Sequence, residues 1–283
     1  MNIINGKLLA DKIKDTVAKE VFDLCANPAS AKLCERRPSL AIILVGAQAD
    51  STLYVNLKQK IASTVGIDTH LYKFEEVVTE TEILDTIKFL NTNDTVDGIL
   101  IQLPLPEHLD TDKIISSISP DKDVDGFTTA SLDKLTKDEV ISPVFQSVLA
   151  CLAEAKFDLT NKQVVIVAKP GIFTDSLDKL LEHLGATVTS INPKEVGEKT
   201  NTADLLITAV GQADLINGDD IKDGAVIIDI GISQNETGKT CGDVDEASVT
   251  NKASWLTPVP GGIGPMTIAF ALKNTLEFFK NRR

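Results

Sequence analysis

The chain has 283 residues, 43% hydrophobic and 24% charged, an ordinary globular balance and length enough for two α/β units. Its formal net charge of −13 argues against a nucleic-acid partner, because phosphate binding wants a basic face. No apolar run is long enough to span a membrane, and the opening "MNIINGKLLADKIKDTVAKEV" is amphipathic and charged, without the apolar centre of a signal peptide.

The cysteines, Cys25, Cys34, Cys151 and Cys241, lack the close spacing of zinc or redox motifs. They read as free thiols in a reducing compartment, so a cytoplasmic protein is expected. Along the chain, apolar runs alternate with amphipathic segments, the pattern of βα units and a parallel sheet. "LAIILVG" reads as a buried strand and "STLYVNLKQKIASTVG" as a helix closed by Gly66. "DTHLYKF" is a second strand. "TETEILDTIKFL" is a helix with a Thr79–Glu82 capping box. "DGILIQ" is a third strand, stopped by "LPLP". "TDKIISSIS" is a short helix and "PDKDVDG" a polar turn. A second unit opens with the helix "SPVFQSVLACLAEA". The strand "VVIVA", a helix to Leu184 and the strands "TVTSI", "ADLLITAVG" and "DGAVIIDIGI" follow. The short strand of "SWLTPVPGGIGP" leads through a glycine–proline loop to a closing helix, "MTIAFALKNTLEFFKN".

Four stretches carry possible chemistry. Ser51, Tyr54 and Lys58 share one helix face, so an aromatic plate sits beside an ammonium. Alone, that pattern favours a snorkelling lysine beside a half-buried tyrosine. Gln102 ends an apolar strand, where open α/β sheets place ligands, or simply terminates it. Asp121, Asp123 and Asp125 lack the later ligands of a calcium loop, so no metal is expected. They read as an Asx-rich turn or a carboxylate that grips an amino-pyrimidine edge. "TPVPGGIGPMT" has glycines enough for close backbone approach to a ligand.

Together, "YVNLK", "DGILIQLPLP", "PDKDVDGF" and "TPVPGGIGPMT" resemble the signatures of the bifunctional methylenetetrahydrofolate dehydrogenase/methenyltetrahydrofolate cyclohydrolase family, in order and spacing. "ADLLITAVGQADLI", "DGAVIIDIGI" and "GDVD" resemble its second domain. The resemblance implies two α/β domains around a cleft. Residues 1–143 and the C-terminal helix 263–283 would bind folate, and 144–262 would form a Rossmann-like NAD(P)-binding domain. It implies a homodimer that interconverts methylene-, methenyl- and formyl-tetrahydrofolate. Lys58 falls at the cyclohydrolase lysine, Gln102 at its orienting partner and Ser51 at a nearby polar position. Tyr54 falls at the residue stacked on folate, Asp125 at the carboxylate on the pterin edge, and Gly262, Gly264 and Pro265 in the cleft-lining loop.

The same resemblance implies NADP, or NAD, as cofactor. Gly211, Gly231 and Ile232 match the far wall of its site. The near wall departs: "VVIVAKPGIFTD" stands where the family has V-(V/I)-G-R-S-x-x-V-G-x-P. Aligned without gaps, Val167, Ala168 and Lys169 take the G-R-S places and Phe173 and Asp175 those of the second glycine and the proline. Phe173 is expected to crowd the pyrophosphate and Asp175 to repel it, with Lys169 in partial compensation. "SPVFQS" replaces P-C-T-P-x-G, and "INPKEV" replaces H-S-x-T, leaving Lys194 as its charge. "TTASLDKL" lacks the asparagine and glycine usual after the aspartate turn. The leading expectation is a two-activity enzyme. The competing ones are a cyclohydrolase with a vestigial Rossmann domain, a non-catalytic folate-binding relative, and a generic two-domain dehydrogenase.

Overall fold

The computed structural model describes residues 1–26, 36–133, 135 and 142–282. In chain order the elements are β1 (Asn2–Ile3), α1 (Gly6–Ala26), β2 (Ser39–Val45), α2 (Ala49–Thr64), β3 (Asp68–Phe74), α3 (Glu80–Thr92) and β4 (Gly98–Ile101). Then come α4 (Thr111–Ser116), α5 (Thr129–Leu132), α6 (Pro143–Glu154), β5 (Gln163–Ala168), α7 (Ile172–His183), β6 (Thr187–Ile191) and β7 (Leu205–Ala209). The chain ends with β8 (Val226–Asp229), β9 (Ser233–Gln234), β10 (Thr240–Cys241), α8 (Glu246–Val249), β11 (Trp255–Leu256) and α9 (Ile263–Asn281). Two compact units result, one chiefly of Asp11–Lys134 and Ile268–Arg283, the other chiefly of Met1–Ala10 and Val144–Thr267.

The first unit holds a parallel sheet of order β3-β2-β4. All seven residues of β2 are buried, because helices cover both faces of the sheet. Alternation divides them. Leu40, Ile42 and Leu44 pack with Val55 of α2 and Leu272, Leu276 and Phe279 of α9. Ala41, Ile43 and Val45 pack with Ile83, Ile87 and Leu90 of α3. The expected capping box starts α3: Thr79 Oγ1 accepts the Glu82 N–H at 3.3 Å and Glu82 Oε2 accepts the Thr79 N–H at 3.0 Å. Gly66, at φ +81°, leaves α2 as its sequence position implied.

The second unit is a six-stranded sheet of order β1-β11-β8-β7-β5-β6, parallel throughout. From β5 the chain goes through α7 to β6 on one side, then crosses to β7 on the other. The carboxyl ends of β5 and β7 therefore flank a topological switch point, where ligands of doubly wound sheets bind.

Three features depart from the sequence-based expectation. The first ten residues, expected with the folate domain, group with the six-stranded unit, because Asn2 and Ile3 pair with Trp255 and Leu256. Gly6 lies so close to Gly262 that a Cβ would overlap its carbonyl oxygen. The closing helix starts at Ile263 with Pro265 in its first turn, where a missing N–H costs nothing, and groups with the first unit only from Ile268. A small hairpin, β9–β10, was not expected at all.

Candidate functional site

In the first unit, α2 presents Ser51, Tyr54 and Lys58 on one stripe, with Ser51 buried and the other two half-buried. β2 and β4 end side by side, and Gln102 follows β4 with its N–H on the Ile43 carbonyl at 2.8 Å. There Lys58 Nζ donates to Gln102 Oε1 at 3.0 Å, and Gln102 Nε2 donates to the Leu103 carbonyl at 2.7 Å. The second bond fixes which end of the amide faces the lysine. Burial lowers the Lys58 pKa below the ordinary lysine range, opposed by Asp125. Burial raises the Asp125 carboxyl to about 6, opposed by Lys58 and reinforced by Asp123. A lysine nearer neutrality, oriented by an amide and facing a carboxylate, can take and return a proton.

The polar turn that carries Asp125 is buried for much of its length. Lys122, Asp123 and Val124 are buried. The Asp123 carboxylate accepts the Gly126 N–H at 2.9 Å, the Thr128 N–H at 2.8 Å and the Ser131 hydroxyl at 2.9 Å. That is the Asx-turn reading, extended into α5; Lys134, farther along the divergent "TTASLDKL", lies outside the described residues.

In the second unit, β5 ends at Ala168 and the exposed residues Lys169, Pro170 and Gly171 lead into α7. Val167, placed in the turn by the ungapped alignment, is instead fully buried in β5 and pairs with Ile191 and Thr208. Gly171 (φ +154°) occupies the N-cap with no atom within 4 Å of where a Cβ would stand, and no side chain caps α7. The first N–H groups of α7 thus have no side-chain cap, as at helix ends that bind anions. Phe173, expected to crowd such an anion, is half-buried. Its ring packs on Phe145 of α6, centroids 5.6 Å apart at 44°. The two aromatic departures from the family pattern fill one another's space. The Thr174 hydroxyl closes the turn on the Lys169 carbonyl at 2.7 Å. Asp175 is exposed in the first turn of α7. After β6, Asn192 starts a short 3₁₀ turn whose Glu195 binds the Asn192 N–H and Lys199, while Lys194 stays exposed.

Opposite β5, the loop after β7 rests on an acid not singled out from the sequence. Fully buried Asp243 accepts the Thr208 hydroxyl at 2.6 Å and the N–H groups of Val210, Gly211 and Gln212 at 2.8 Å each. A second buried acid, Asp229, accepts the Gly231 N–H at 2.9 Å and the Val244 N–H at 3.0 Å. Gly231 and Gly242 are required here, since a Cβ on either would overlap the Asp243 or the Asp229 carboxylate respectively. So Gly211 and Gly231 are held by a paired-carboxylate frame, and exposed Ile232 follows Gly231 in the chain. The available signal was the acid that closes "VIID", Asp229, and the first acid of "GDVD", Asp243.

Burial and the neighbouring Asp243 raise Asp229 to about 7, far above an ordinary carboxyl. A raised acid binds its proton in the folded state before the unfolded one, so its contribution favours folding more as pH falls from about 7 toward 4. The thermal midpoint of Asp229→Asn, followed by circular dichroism, is expected to gain on the unaltered chain as pH rises from 5.5 to 8. A constant difference across that range would contradict a protonated Asp229.

Gly262, Gly264 and Pro265 open α9 and belong to the second unit, whereas Lys58, Gln102 and Asp125 belong to the first.

The chain matches two family descriptions: the catalytic domain of tetrahydrofolate dehydrogenase/cyclohydrolase over residues 4–125 and its NAD(P)-binding domain over residues 143–283. It is 42% identical to the bifunctional protein FolD of Nautilia profundicola, covering 99% of this chain and 98% of that one. Its structure is similar to the bifunctional FolD methylenetetrahydrofolate dehydrogenase/cyclohydrolase of Campylobacter jejuni, with a TM-score of 0.92, 38% identity and full coverage of both chains. It is also similar to the Trypanosoma brucei enzyme complexed with NADP and an inhibitor, with a TM-score of 0.91, 30% identity and coverage of 99% and 97%.

Proposed function

This chain belongs to the tetrahydrofolate dehydrogenase/cyclohydrolase family, and from that premise we propose which of its residues carry each of the two reactions. The cyclohydrolase step rests on one observation, the 3.0 Å bond between Lys58 and Gln102 in a setting that lowers the lysine's pKa. Methenyl-tetrahydrofolate has a cationic bridge whose carbon is electrophilic. Water adds there and gives a proton to neutral Lys58 Nζ. The resulting ammonium protonates the ring nitrogen as its bond to carbon breaks, and the adduct's hydroxyl gives its proton to solvent as the formyl C=O forms, so formyl-tetrahydrofolate and one proton leave. Gln102 keeps the amine aimed at the bridge. Tyr54 stacks on the folate, Asp125 binds the pterin amino edge, and buried Ser51 supports the helix face that bears the lysine.

The dehydrogenase step needs positioning more than acid or base. A bound NADP supplies the hydride acceptor for the methylene carbon. The residues present fit a dinucleotide. The uncapped N-terminus of α7 with open space at Gly171 suits a pyrophosphate, and Lys169 is exposed beside it. Gly211 and Gly231, held by Asp243 and Asp229, form the other wall with Ile232 at the switch point. The NADP-bound Trypanosoma brucei relative supports the same choice of cofactor. The vestigial-domain alternative loses its main ground, since the residue expected to block the site packs elsewhere.

A homodimer in the cytoplasm completes this reading. The support is the family resemblance and the free thiols Cys151 and Cys241; Cys34 and the side chain of Cys25 lie outside the described residues. The test is an absorbance assay on methylene-tetrahydrofolate with NADP or NAD, run beside hydrolysis of added methenyl-tetrahydrofolate. Cofactor-dependent methenyl formation and its hydrolysis are both expected. Hydrolysis with no cofactor-dependent product would remove the dehydrogenase assignment.

A further inference from the structure

The Asp125 turn is held by a buried cation that neither reaction uses. Lys122 is 2% exposed, and its Nζ donates to the carbonyls of Leu90 and Asn93 at 2.7 Å each. Both carbonyls lie at the C-terminal end of α3, where the dipole favours a positive charge; each also accepts one backbone N–H, from Asn93 at 3.2 Å and Val96 at 3.1 Å, and turns its remaining acceptor capacity to the ammonium. A buried lysine is costly unless such acceptors compensate it, so an apolar side chain would hold a merely structural turn more cheaply. What the ammonium adds is direction, because two fixed carbonyls accept it in one placement of the turn.

The neighbouring backbone is clamped in step. The Ile99 N–H of β4 donates to the Lys122 carbonyl at 2.7 Å, and Ile99 and Asp123 form a parallel bridge. Gly98 leaves room for Val124, whose side chain a Cβ there would meet. Asn274 of α9 donates to the Val124 carbonyl at 2.9 Å. Arg282, also toward the chain end, pairs with Asp121 at 3.2 Å. Asp125 is the next residue after this clamped run, and Asp123 binds the backbone just beyond it.

We propose that Lys122 is a positioning residue for folate binding: by locking the turn onto the C-terminus of α3 it places the Asp125 carboxylate for the pterin edge. This rests on the reading of Asp125 given above. Burial and Arg282 together push the Lys122 pKa to about 8, partly offset by Asp121, Asp94 and Asp97, so the ammonium persists at neutral pH.

The experiment compares Lys122→Met, Lys122→Gln, Asp125→Asn and the double variant Lys122→Met/Asp125→Asn in steady-state hydrolysis of methenyl-tetrahydrofolate. Ile87→Val, buried in the same α3, serves as a control for stability alone. Misplacing the carboxylate by an ångström or less is expected to raise KM about tenfold in Lys122→Met with kcat little changed. Lys122→Gln keeps one donor and should fall between. The double variant should have the KM of Asp125→Asn, because the lysine acts through that residue. Ile87→Val should lower the thermal midpoint and leave KM unmoved. If Asp125→Asn raises KM while Lys122→Met behaves like the control, the inference fails and the reading of Asp125 stands. If Asp125→Asn leaves KM unchanged, that reading falls and the inference with it. Should Lys122→Met not fold, an unaltered KM in Lys122→Gln is sufficient to overturn the role.

Discussion

Lys58→Met is expected to slow hydrolysis of methenyl-tetrahydrofolate by about 10³-fold, the range general acid–base groups contribute, while folate affinity stays nearly the same. Methionine keeps the unbranched stem and deletes the ammonium. Gln102 loses its 3.0 Å donor, but its own bond to the Leu103 carbonyl still anchors the amide. Tyr54 and Asp125, the proposed binding groups, remain. Removing the positive neighbour also pushes the Asp125 carboxyl above about 6, so the assay belongs near pH 8, where it is ionised. Supplied with methylene-tetrahydrofolate and NADP, the variant should make methenyl product and accumulate it. Hydrolysis at the rate of the unaltered enzyme would sink the assignment of Lys58. Loss of both reactions would point to a binding role instead.

What the sequence disclosed of this site follows a physical division. Local pattern sufficed for β2, whose apolar run is bounded by Pro38 and Gly46, and for α3, whose start is written in Thr79 and Glu82. It sufficed to put Tyr54 and Lys58 on one helix face. It could not show that Lys58 meets Gln102, 44 positions away, because that contact depends on β4 lying beside β2. That pairing came from the resemblance.

The misreadings have the same source. β1 and the β9–β10 hairpin are two residues per strand and exist only through their partners. The apolar run "VVIVA" marked the strand through Ala168 correctly, and only the ungapped alignment set Val167 at the place of a turn glycine. Phe173 passed for an obstruction because nothing local says that Phe145, 28 positions earlier, receives its ring. The polar turn was read as such, but its composition could not show that Lys122 and Asp123 are buried, since charge ordinarily goes with exposure. Their partners, two helix carbonyls for one and turn N–H groups with a serine hydroxyl for the other, are what make burial tolerable.

The frame behind the proposed cofactor wall gives the second large effect. Asp243→Ala withdraws the acceptor from four donors at once: the Thr208 hydroxyl and the Val210, Gly211 and Gln212 N–H groups. A buried donor left without a partner costs about 1–3 kcal/mol, and water can enter the partly exposed loop to serve some of them. A net loss of about 4 kcal/mol is expected, a large share of the 5–15 kcal/mol that is typical of a folded domain. Asp243→Asn should be milder, since its oxygen still accepts and Thr208 can turn to receive the amide. It should not be neutral, because an N–H of that amide meets backbone N–H groups that cannot turn. Gly231→Ala should resemble it from the other side, its Cβ driving the same carboxylate off its donors. All three should lose NADP affinity in calorimetry more steeply than midpoint in thermal unfolding, with Ala the worst. Hydrolysis at Lys58, whose residues lie in the other unit, should persist below the lowered midpoint. An Asp243→Ala protein with unaltered NADP affinity and a loss under about 1 kcal/mol would mean that the four bonds are replaced by water at no cost, and that the β7 loop holds its shape without the acid.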